Sequence, residues 1–104
     1  MENILALKVK NQDNVATIFS EKATASAIVD IRDPQGEMTK IQVWDRSGIP
    51  YGHKIAVKAI KKGSPVIKYG EIIGCATTDI EKGDHVHIHN MDSLRGRGDL
   101  EAGN

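Results

Sequence analysis

Apolar and β-branched residues occur along the chain in short runs, and Gly, Pro, Asn and Asp interrupt these runs every few positions. No segment keeps the i, i+3, i+4, i+7 apolar spacing of an amphipathic helix over three turns. Short runs of this composition between turn residues are typical of strands. The pattern therefore predicts an all-β domain, with strands at residues 4–9, 14–19, 27–31, 40–44, 54–57, 65–68, 72–76 and 85–89.

Two short segments have the composition of tight turns. DPQGE at 33–37 places Pro and Gly where a turn needs a fixed φ and a permissive φ, which predicts a hairpin. KYGE at 68–71 predicts a second tight connection. Each of these turns joins two strands that are consecutive in the predicted order.

The sequence also contains a weak internal repeat. AIKKGSPV at 59–66 and DIEKGDHV at 79–86 share Ile, Lys, Gly and Val at a spacing of 20 residues. Gly63 and Gly83 stand where a turn can use a positive φ at little cost, so each copy predicts a turn followed by a strand. Such a repeat is typical of a pseudo-symmetric small β fold.

Size and charge narrow the class of protein. The 104 residues are enough for one small domain, which buries about 65% of the surface of its unfolded chain. The 14 Lys and Arg balance 14 Asp and Glu, so net charge favours neither nucleic acid nor an anionic membrane as a partner. There is no apolar run of membrane-spanning length and no secretory start, and we expect a cytoplasmic protein.

The chain ends in a segment of different composition, and it has a single cysteine. SLRGRGDLEAGN at 93–104 is rich in glycine and poor in apolar residues, which predicts a flexible tail or linker after a domain at 1–92. Cys75 lacks a partner for an internal disulfide and cannot by itself form a cysteine-based metal site. Any metal site would therefore use His and carboxylate ligands.

The stretch DHVHIHN carries three of the four histidines at every second position. In a strand, His85, His87 and His89 would line one face, while Val86 and Ile88 would point into the core. Neighbouring histidines would then lie roughly 6.5 to 7 Å apart, close enough for two imidazoles to bind one metal ion or one anionic ligand. Spacing alone leaves a solvent-exposed strand as the alternative.

The fourth histidine follows a predicted turn in IPYGHKIAV. Pro50 and Gly52 favour a turn that delivers His53 and Lys54 to the start of a buried strand, where a rigid rim can hold polar side chains. Lys54 there could bind a carboxylate as a point charge. The alternative is an exposed turn histidine beside a solvated lysine.

Other conspicuous residues have simpler interpretations. We interpret Trp44 and Tyr69 as packing residues and Cys75 as a small buried apolar residue. The sequence shows no strained serine turn, phosphate-cradling glycine loop or paired-carboxylate motif. The residues alone therefore predict a small β domain with a histidine-rich rim.

An ordered set of motifs resembles the amino-terminal domain of altronate dehydratase and galactarate dehydratase. In chain order the motifs are DNVA, GHK, VIKYG, IG, A-x-x-D-I, KG and HVHIHN, and with their spacings they cover about three quarters of the chain. Residues 20–48 are similar to the family only in general character. The resemblance implies a β-clip fold of the SAF (antifreeze-like) type.

The resemblance also implies the chemistry of a sugar-acid hydro-lyase. Such an enzyme removes the proton α to a carboxylate, loses the neighbouring hydroxyl as water and forms a 2-keto-3-deoxy acid. Family members are associated with a divalent metal, iron or manganese, which would be shared with a large domain. A cation that stabilises the developing negative charge and a base of suitable pKa are the groups that this reaction needs.

Site roles follow from the matched motifs. The GHK match implies catalytic roles for His53 and Lys54, and the HVHIHN match implies metal binding by His85 and His87 and substrate binding by His89 and Asn90. Of the three motif histidines, His85, nearest the preceding turn, has the least support.

Full-length relatives carry a much larger second domain, so the resemblance implies a large catalytic domain or subunit as partner. Oligomeric state is not set by the sequence, and a homo-oligomer is compatible with it.

Two alternatives remain open. A small chain of this design also resembles the small subunit of sulfolactate sulfo-lyase, which eliminates sulfite from a short 2-hydroxy acid instead of water. SAF-type domains also serve as non-catalytic modules in binding and assembly proteins. The GHK and HVHIHN motifs favour a lyase, and HVHIHN with VIKYG favours dehydration.

Overall fold

A computed structural model of the chain describes residues 4–20 and 22–93. These residues contain no helix, which confirms the predicted all-β class. Nor is there, in the same ranges, a helix with the length and apolar composition needed to cross a membrane. The strands are β1 Ile4–Leu7, β2 Val15–Ile18, β3 Ile28–Arg32, β4 Met38–Gln42, β5 Lys54–Ala56, β6 Pro65–Lys68, β7 Glu71–Ala76, β8 His85–Val86 and β9 Met91–Ser93.

The strands form two sheets. The larger sheet has the order β4-β3-β1-β2-β5-β8, and the smaller has the order β6-β7-β9. The β1–β3 pair is parallel and the other neighbours are antiparallel. One group of buried side chains belongs to the larger sheet and its loops: Ala6, Ala16, Ile18, Ala23, Val29, Ile31, Ile41, Val43, Ile49 and Ile55. A second group draws on both sheets and joins them: Val15, Ala56, Ile60, Val66, Ala76, Ile80, Val86 and Met91.

Both predicted hairpins are present. In the β3–β4 turn, Oδ1 of Asp33 accepts hydrogen bonds from the N–H groups of Gln35 (3.0 Å) and Glu37 (2.9 Å). In the β6–β7 turn, Tyr69 and Gly70 both have positive φ, 57° and 76°. Two consecutive residues of positive φ match the twist of an antiparallel hairpin, which explains the tight connection.

The 20-residue repeat is a reciprocal hydrogen-bonding arrangement. Ile60 and Ile80 exchange two backbone hydrogen bonds, at 2.8 and 2.7 Å. The N–H of Gly63 donates to the carbonyl of Ala76 at 2.8 Å, and the N–H of Gly83 donates to that of Ala56 at 2.9 Å. Each glycine has a positive φ, 88° and 94°. The two copies therefore pair with each other through Ile60 and Ile80 and make equivalent hydrogen bonds through their glycines, as the pseudo-symmetric pattern predicts.

A buried carboxylate fixes the β6–β7 hairpin to the chain that precedes β2. Asp13 is 1% exposed, and its Oδ2 accepts the N–H groups of Val9, Lys10 and Tyr69 at 3.2, 3.0 and 3.0 Å. Its Oδ1 accepts the N–H of Gly70 at 2.8 Å. Burial acts to raise the pKa of Asp13, but these four hydrogen bonds together hold it below its ordinary value.

The neighbouring Asn14 completes this attachment. Its side-chain amide donates to the carbonyl of Pro65 at 2.9 Å and accepts the N–H of Ile67 at 2.8 Å. Its backbone N–H donates to the carbonyl of Ile67 at 3.2 Å. The DNVA motif is thus a structural element that joins the two sheets.

Several expectations were wrong in detail. The predicted strand at 85–89 ends at Val86, and a turn at residues 87–90 leads into β9, which the pattern missed. Ile88 is consequently 77% exposed instead of buried. The side chain of Asn90 hydrogen-bonds the backbone on both sides of this turn, and such local bonds compete with a strand.

The two aromatic residues taken for packing residues lie at the surface. Trp44 is 69% exposed because Val43, the residue before it, points into the core. Tyr69 occupies the tip of the β6–β7 turn and is 52% exposed. Cys75 is partly rather than fully buried. The predicted tail begins at Ser93, which belongs to β9, and its remainder at 94–104 lies outside the described residues.

We predict that Asp13→Ala lowers the free energy of unfolding by about 3 kcal/mol, because it removes a buried carboxylate that accepts four backbone N–H groups. Urea denaturation followed by tryptophan fluorescence measures the change. Asp33→Ala is the matched control, because Asp33 also accepts backbone N–H groups but in an exposed turn, and it should cost about 0.5 kcal/mol. Equal losses for the two variants would contradict the role assigned to Asp13.

A pH dependence follows from the same carboxylate. Since the folded pKa of Asp13 lies below its ordinary value, its stabilisation is complete above the unfolded pKa of about 3.9 and is lost as pH falls through the folded pKa. The free energy of unfolding should therefore fall as the pH drops below about 5 and through the folded pKa, and it should fall less in Asp13→Asn. The same pH dependence in both proteins would refute this assignment.

Candidate functional site

All four histidines of the chain meet at one place on the surface, which we call the histidine cluster (His53, His85, His87 and His89). The ring centroid of His53 lies 5.0 Å from that of His85 and 4.4 Å from that of His87. His85 also contacts His87 and His89, with centroids at 5.4 and 5.2 Å. His85 therefore contacts each of the other three rings, although it had the least support among the motif histidines.

Neighbouring strands bring His53 and His85 together. His85 begins β8 and pairs with Ile55 of β5, while His53 directly precedes β5. The predicted turn at Pro50 is present, since the N–H of His53 donates to the carbonyl of Pro50 at 3.1 Å. Side chains two residues apart in an extended chain point to the same face. His53 therefore lies on the face of Ile55, which is also the face of its cross-strand partner His85. Nδ1 of His53 lies 2.9 Å from Nε2 of His85.

A turn, not a strand, delivers the other two histidines. Asn90 is 5% exposed, and its Oδ1 accepts the N–H of His87 at 3.0 Å while its Nδ2 donates to the carbonyl of His85 at 2.9 Å. The backbone N–H of Asn90 also donates to the carbonyl of His87 at 3.1 Å. The turn folds His87 and His89 back around His85, and the amide of Asn90 holds it closed.

The electrostatics of the cluster favour neutral imidazoles. Burial, followed by the nearby His53 and His89, lowers the pKa of His85 to about 4, against a smaller opposing effect of the Asp45 carboxylate. Burial and then His53 also lower the pKa of His87. At neutral pH both rings are therefore uncharged, which is the form that binds a metal ion or accepts a proton.

Lys54 lies at the edge of this group. It is half-buried in β5, and its charge is one of the influences that lower the pKa of His87. Burial lowers the pKa of Lys54 itself, and the positive charge of Lys68 adds to this effect. An ammonium group with an incomplete water shell and a positive neighbour is suited to bind an anionic group such as a carboxylate.

The histidine cluster has the geometry of a metal site. The ligand atoms of His53, His85 and His87 all lie within 4.8 Å of one another. Two ligands with metal–nitrogen bonds of about 2.1 Å stand roughly 3.0 to 3.4 Å apart around one ion. The 2.9 Å separation between His53 and His85 is close to this value. The residues therefore fit a divalent cation with small side-chain adjustments.

An open cleft of about 510 Å³ adjoins the cluster, lined by Ser26, Gln42, Val43, Trp44, Asp45, Arg46 and Asp84. Asp45 forms a second group with His85 and His89, whose ligand atoms also lie within 4.8 Å of one another. Sequence reasoning missed Asp45. Its sequence context, WDRSG, indicates a turn, but nothing local shows that this turn packs beside β8.

The structure thus brings the histidines predicted for catalysis, metal binding and substrate binding into one cluster, with Lys54 at its edge. Asn90, predicted to bind substrate, lies under the turn with its amide bonded to the backbone. The individual roles of these residues remain predictions.

The fold and this cluster agree with a match to a family model. The model described as "Altronate/galactarate dehydratase SAF domain" matches residues 4–94. The chain belongs to this family, as the motif resemblance predicted.

Curated relatives fall into two classes of lyase. The chain is 52% identical over 50 residues to the (2R)-sulfolactate sulfo-lyase subunit alpha of Paracoccus pantotrophus, covering 48% of this chain and 75% of that subunit. It is 35% identical over 88 residues to altronate dehydratase of Bacillus subtilis (strain 168) and 37% over 84 residues to that of Escherichia coli (strain K12). Both dehydratase matches cover 81% of this chain but 15% of the dehydratase. The chain therefore spans a small part of the dehydratases and most of the sulfo-lyase subunit.

We predict that the chain binds one Zn²⁺ and that His85→Ala abolishes binding, because His85 is shared by both ligand groups. Isothermal titration calorimetry at neutral pH measures the affinity, and urea denaturation checks that the variant is folded. All four histidines of the chain belong to the cluster, so no histidine outside it can serve as a control. The control is therefore Lys58→Ala, at an exposed position, which should bind Zn²⁺ as the parent chain does. Unchanged binding by folded His85→Ala would contradict the site.

Proposed function

We propose that this chain is the small domain or small subunit of a lyase that dehydrates a sugar acid. It contributes the histidine cluster to an active site that a larger catalytic domain or subunit completes. The observation that carries the proposal is the convergence of four histidines, two of them with lowered pKa, in a domain of the altronate/galactarate dehydratase family.

The reaction assigns distinct tasks to these residues. A base takes the proton α to the carboxylate, the β-hydroxyl departs with a proton as water, and the resulting enol becomes a 2-keto-3-deoxy acid. His85 and His87 would hold a divalent cation, iron or manganese. Such a cation would offset the negative charge that develops on the substrate carboxylate.

His53 and Lys54 supply the acid–base and binding functions in this proposal. His53 stands at the rim, with its ring against His85 and His87, where it can accept the α-proton and return a proton to the leaving hydroxyl. Lys54 binds the substrate carboxylate, which its partial desolvation favours. Lys54 is the first residue of β5 and His53 directly precedes it, so one rigid strand fixes their separation.

His89 and Asn90 contribute differently. His89 is exposed beside His85 and can donate a hydrogen bond to a substrate hydroxyl. Asn90 is buried and holds the turn that carries His87 and His89, so it positions the site without needing to touch the substrate.

The surroundings of the cluster support a large partner. Trp44 and Ile88 are adjacent in sequence to Asp45 and His87, and Tyr51 lies two residues before His53. The three side chains are 69%, 77% and 67% exposed, respectively. Large apolar side chains around an open polar site are typical of a surface that another domain covers. Covering the cluster would also exclude water from the reaction.

A sulfo-lyase small subunit is the second candidate, and one observation favours it. The identity to the Paracoccus pantotrophus subunit, 52% over 50 residues, exceeds that to the altronate dehydratases. Elimination of sulfite shares α-proton removal with dehydration and differs in the leaving group. The same residues would then serve the same tasks on a smaller acid.

The test is to purify the tagged chain with the large chain that binds it and to assay altronate and sulfolactate separately. Loss of altronate identifies the dehydratase, and sulfite release identifies the sulfo-lyase. His53→Ala should lower kcat by about 100-fold or more. Lys54→Met should raise KM, whereas Lys58→Met, at an exposed lysine of the same segment, should leave both constants unchanged. Full activity of His53→Ala, or a partner without activity on either acid, would contradict the proposal.

A further inference from the structure

The segment that contains Asp45 is fixed against the strand that carries His85. The backbone N–H of Trp44 donates to the carbonyl of Gly83 at 2.9 Å. A Cβ added at Gly83 would lie 2.4 Å from the carbonyl oxygen of Gln42 and 3.2 Å from the nitrogen of Trp44. The two backbones therefore approach at a distance that a larger residue would not allow, and this contact sets Asp45 beside β8.

The side chain of Asp45 is also held. Its Oδ1 accepts the N–H of Ser47 at 2.8 Å, and its carbonyl accepts the N–H of Gly48 at 3.2 Å. The carboxylate is thereby oriented within a turn, and it is partly buried. One of its oxygens lies within 4.8 Å of ring nitrogens of both His85 and His89.

We propose that Asp45, His85 and His89 form a second metal-binding triad, an alternative to His53, His85 and His87. The inference deepens the proposed function, on which it rests, and revises its ligand set. His85 remains a ligand of the iron or manganese ion, Asp45 and His89 take the place of His87, and His53 is left free to act as the base. Both triads use His85. A metal ion bound to one ring nitrogen of His85 therefore belongs either to the Asp45 triad or to the all-histidine triad. The two triads differ in donor set, three nitrogens in one and two nitrogens with one oxygen in the other.

This difference predicts a difference in metal preference. Imidazole ligands suit Zn²⁺, whereas carboxylate oxygens suit harder ions such as Mn²⁺. Two histidines and one carboxylate are also the ligand set of many non-haem Fe²⁺ sites. The Asp45 triad is therefore the one that binds Mn²⁺ and Fe²⁺, and the all-histidine triad is the one that binds Zn²⁺. A cation in the Asp45 triad would also face the cleft lined by Trp44 and Arg46.

The experiment titrates the 104-residue chain with Mn²⁺, followed by the electron paramagnetic resonance signal of the free ion, and with Zn²⁺, followed by competition with a chromophoric chelator. Asp45→Asn should weaken Mn²⁺ binding by more than about 100-fold, which is the upper end of the loss expected when only a hydrogen-bonding partner of a metal ligand is removed. Its effect on Zn²⁺ should be less than about threefold, since the all-histidine triad is intact. His53→Ala should show the reverse pattern.

Two controls separate ligation from folding. Asp33→Asn makes the same change at another turn aspartate that accepts backbone N–H groups, at the opposite end of the β3–β4 hairpin, and it should change neither affinity. His89→Ala removes the same triad through an exposed side chain and should reproduce the loss of Mn²⁺ binding. The double variant with Asp45→Asn should lose no more.

The outcomes distinguish this inference from the proposed function. If Asp45→Asn and His89→Ala both bind Mn²⁺ as tightly as the parent while His85→Ala does not, the Asp45 triad is overturned and a metal site at the histidine cluster stands. If the parent chain binds neither ion, the metal-binding part of the proposed function fails together with this inference.

Discussion

The backbone around Gly83 holds together the three segments that form the site. Its N–H bonds the carbonyl of Ala56 at the end of β5, its carbonyl accepts the N–H of Trp44 after β4, and β8 begins two residues later. A φ of 94° and the 2.4 Å approach of the Gln42 oxygen to a Cβ position restrict this place to glycine. The catalytic candidate His53, the central His85 and the carboxylate of Asp45 all depend on that junction.

The ability of the histidine cluster to bind a cation follows from the uncharged state of its partly buried rings. His85 and His87 are packed against other imidazoles and partly withdrawn from water, so each is uncharged at neutral pH. Such rings can bind a cation without first losing a proton. The site remains open on one side, with exposed apolar side chains nearby. An open site of this kind suits the proposed function, in which a larger domain or subunit completes it. The match covers 15% of the length of the altronate dehydratases.

Local features of the sequence predicted most of the fold. The turns DPQGE and KYGE and the glycines of the repeat were predicted correctly because a positive or fixed φ is a property of one or two residues. The strand at 85–89 was wrong because the alternating pattern carries no sign of the hydrogen bonds that Asn90 makes to the backbone. The histidines of the cluster were among the predicted site residues. Asp45 was missed because its segment packs against Gly83, which is 38 residues away in the chain.

The most direct test of the central claim is a crystal structure of the chain bound to its large partner, with anomalous diffraction collected at the absorption edge of the native metal. The account predicts a single anomalous peak at the interface, within about 2.2 Å of a ring nitrogen of His85. A peak bound by the partner alone, with the histidine cluster free of metal and facing solvent, would contradict the claim that this domain supplies part of the active site.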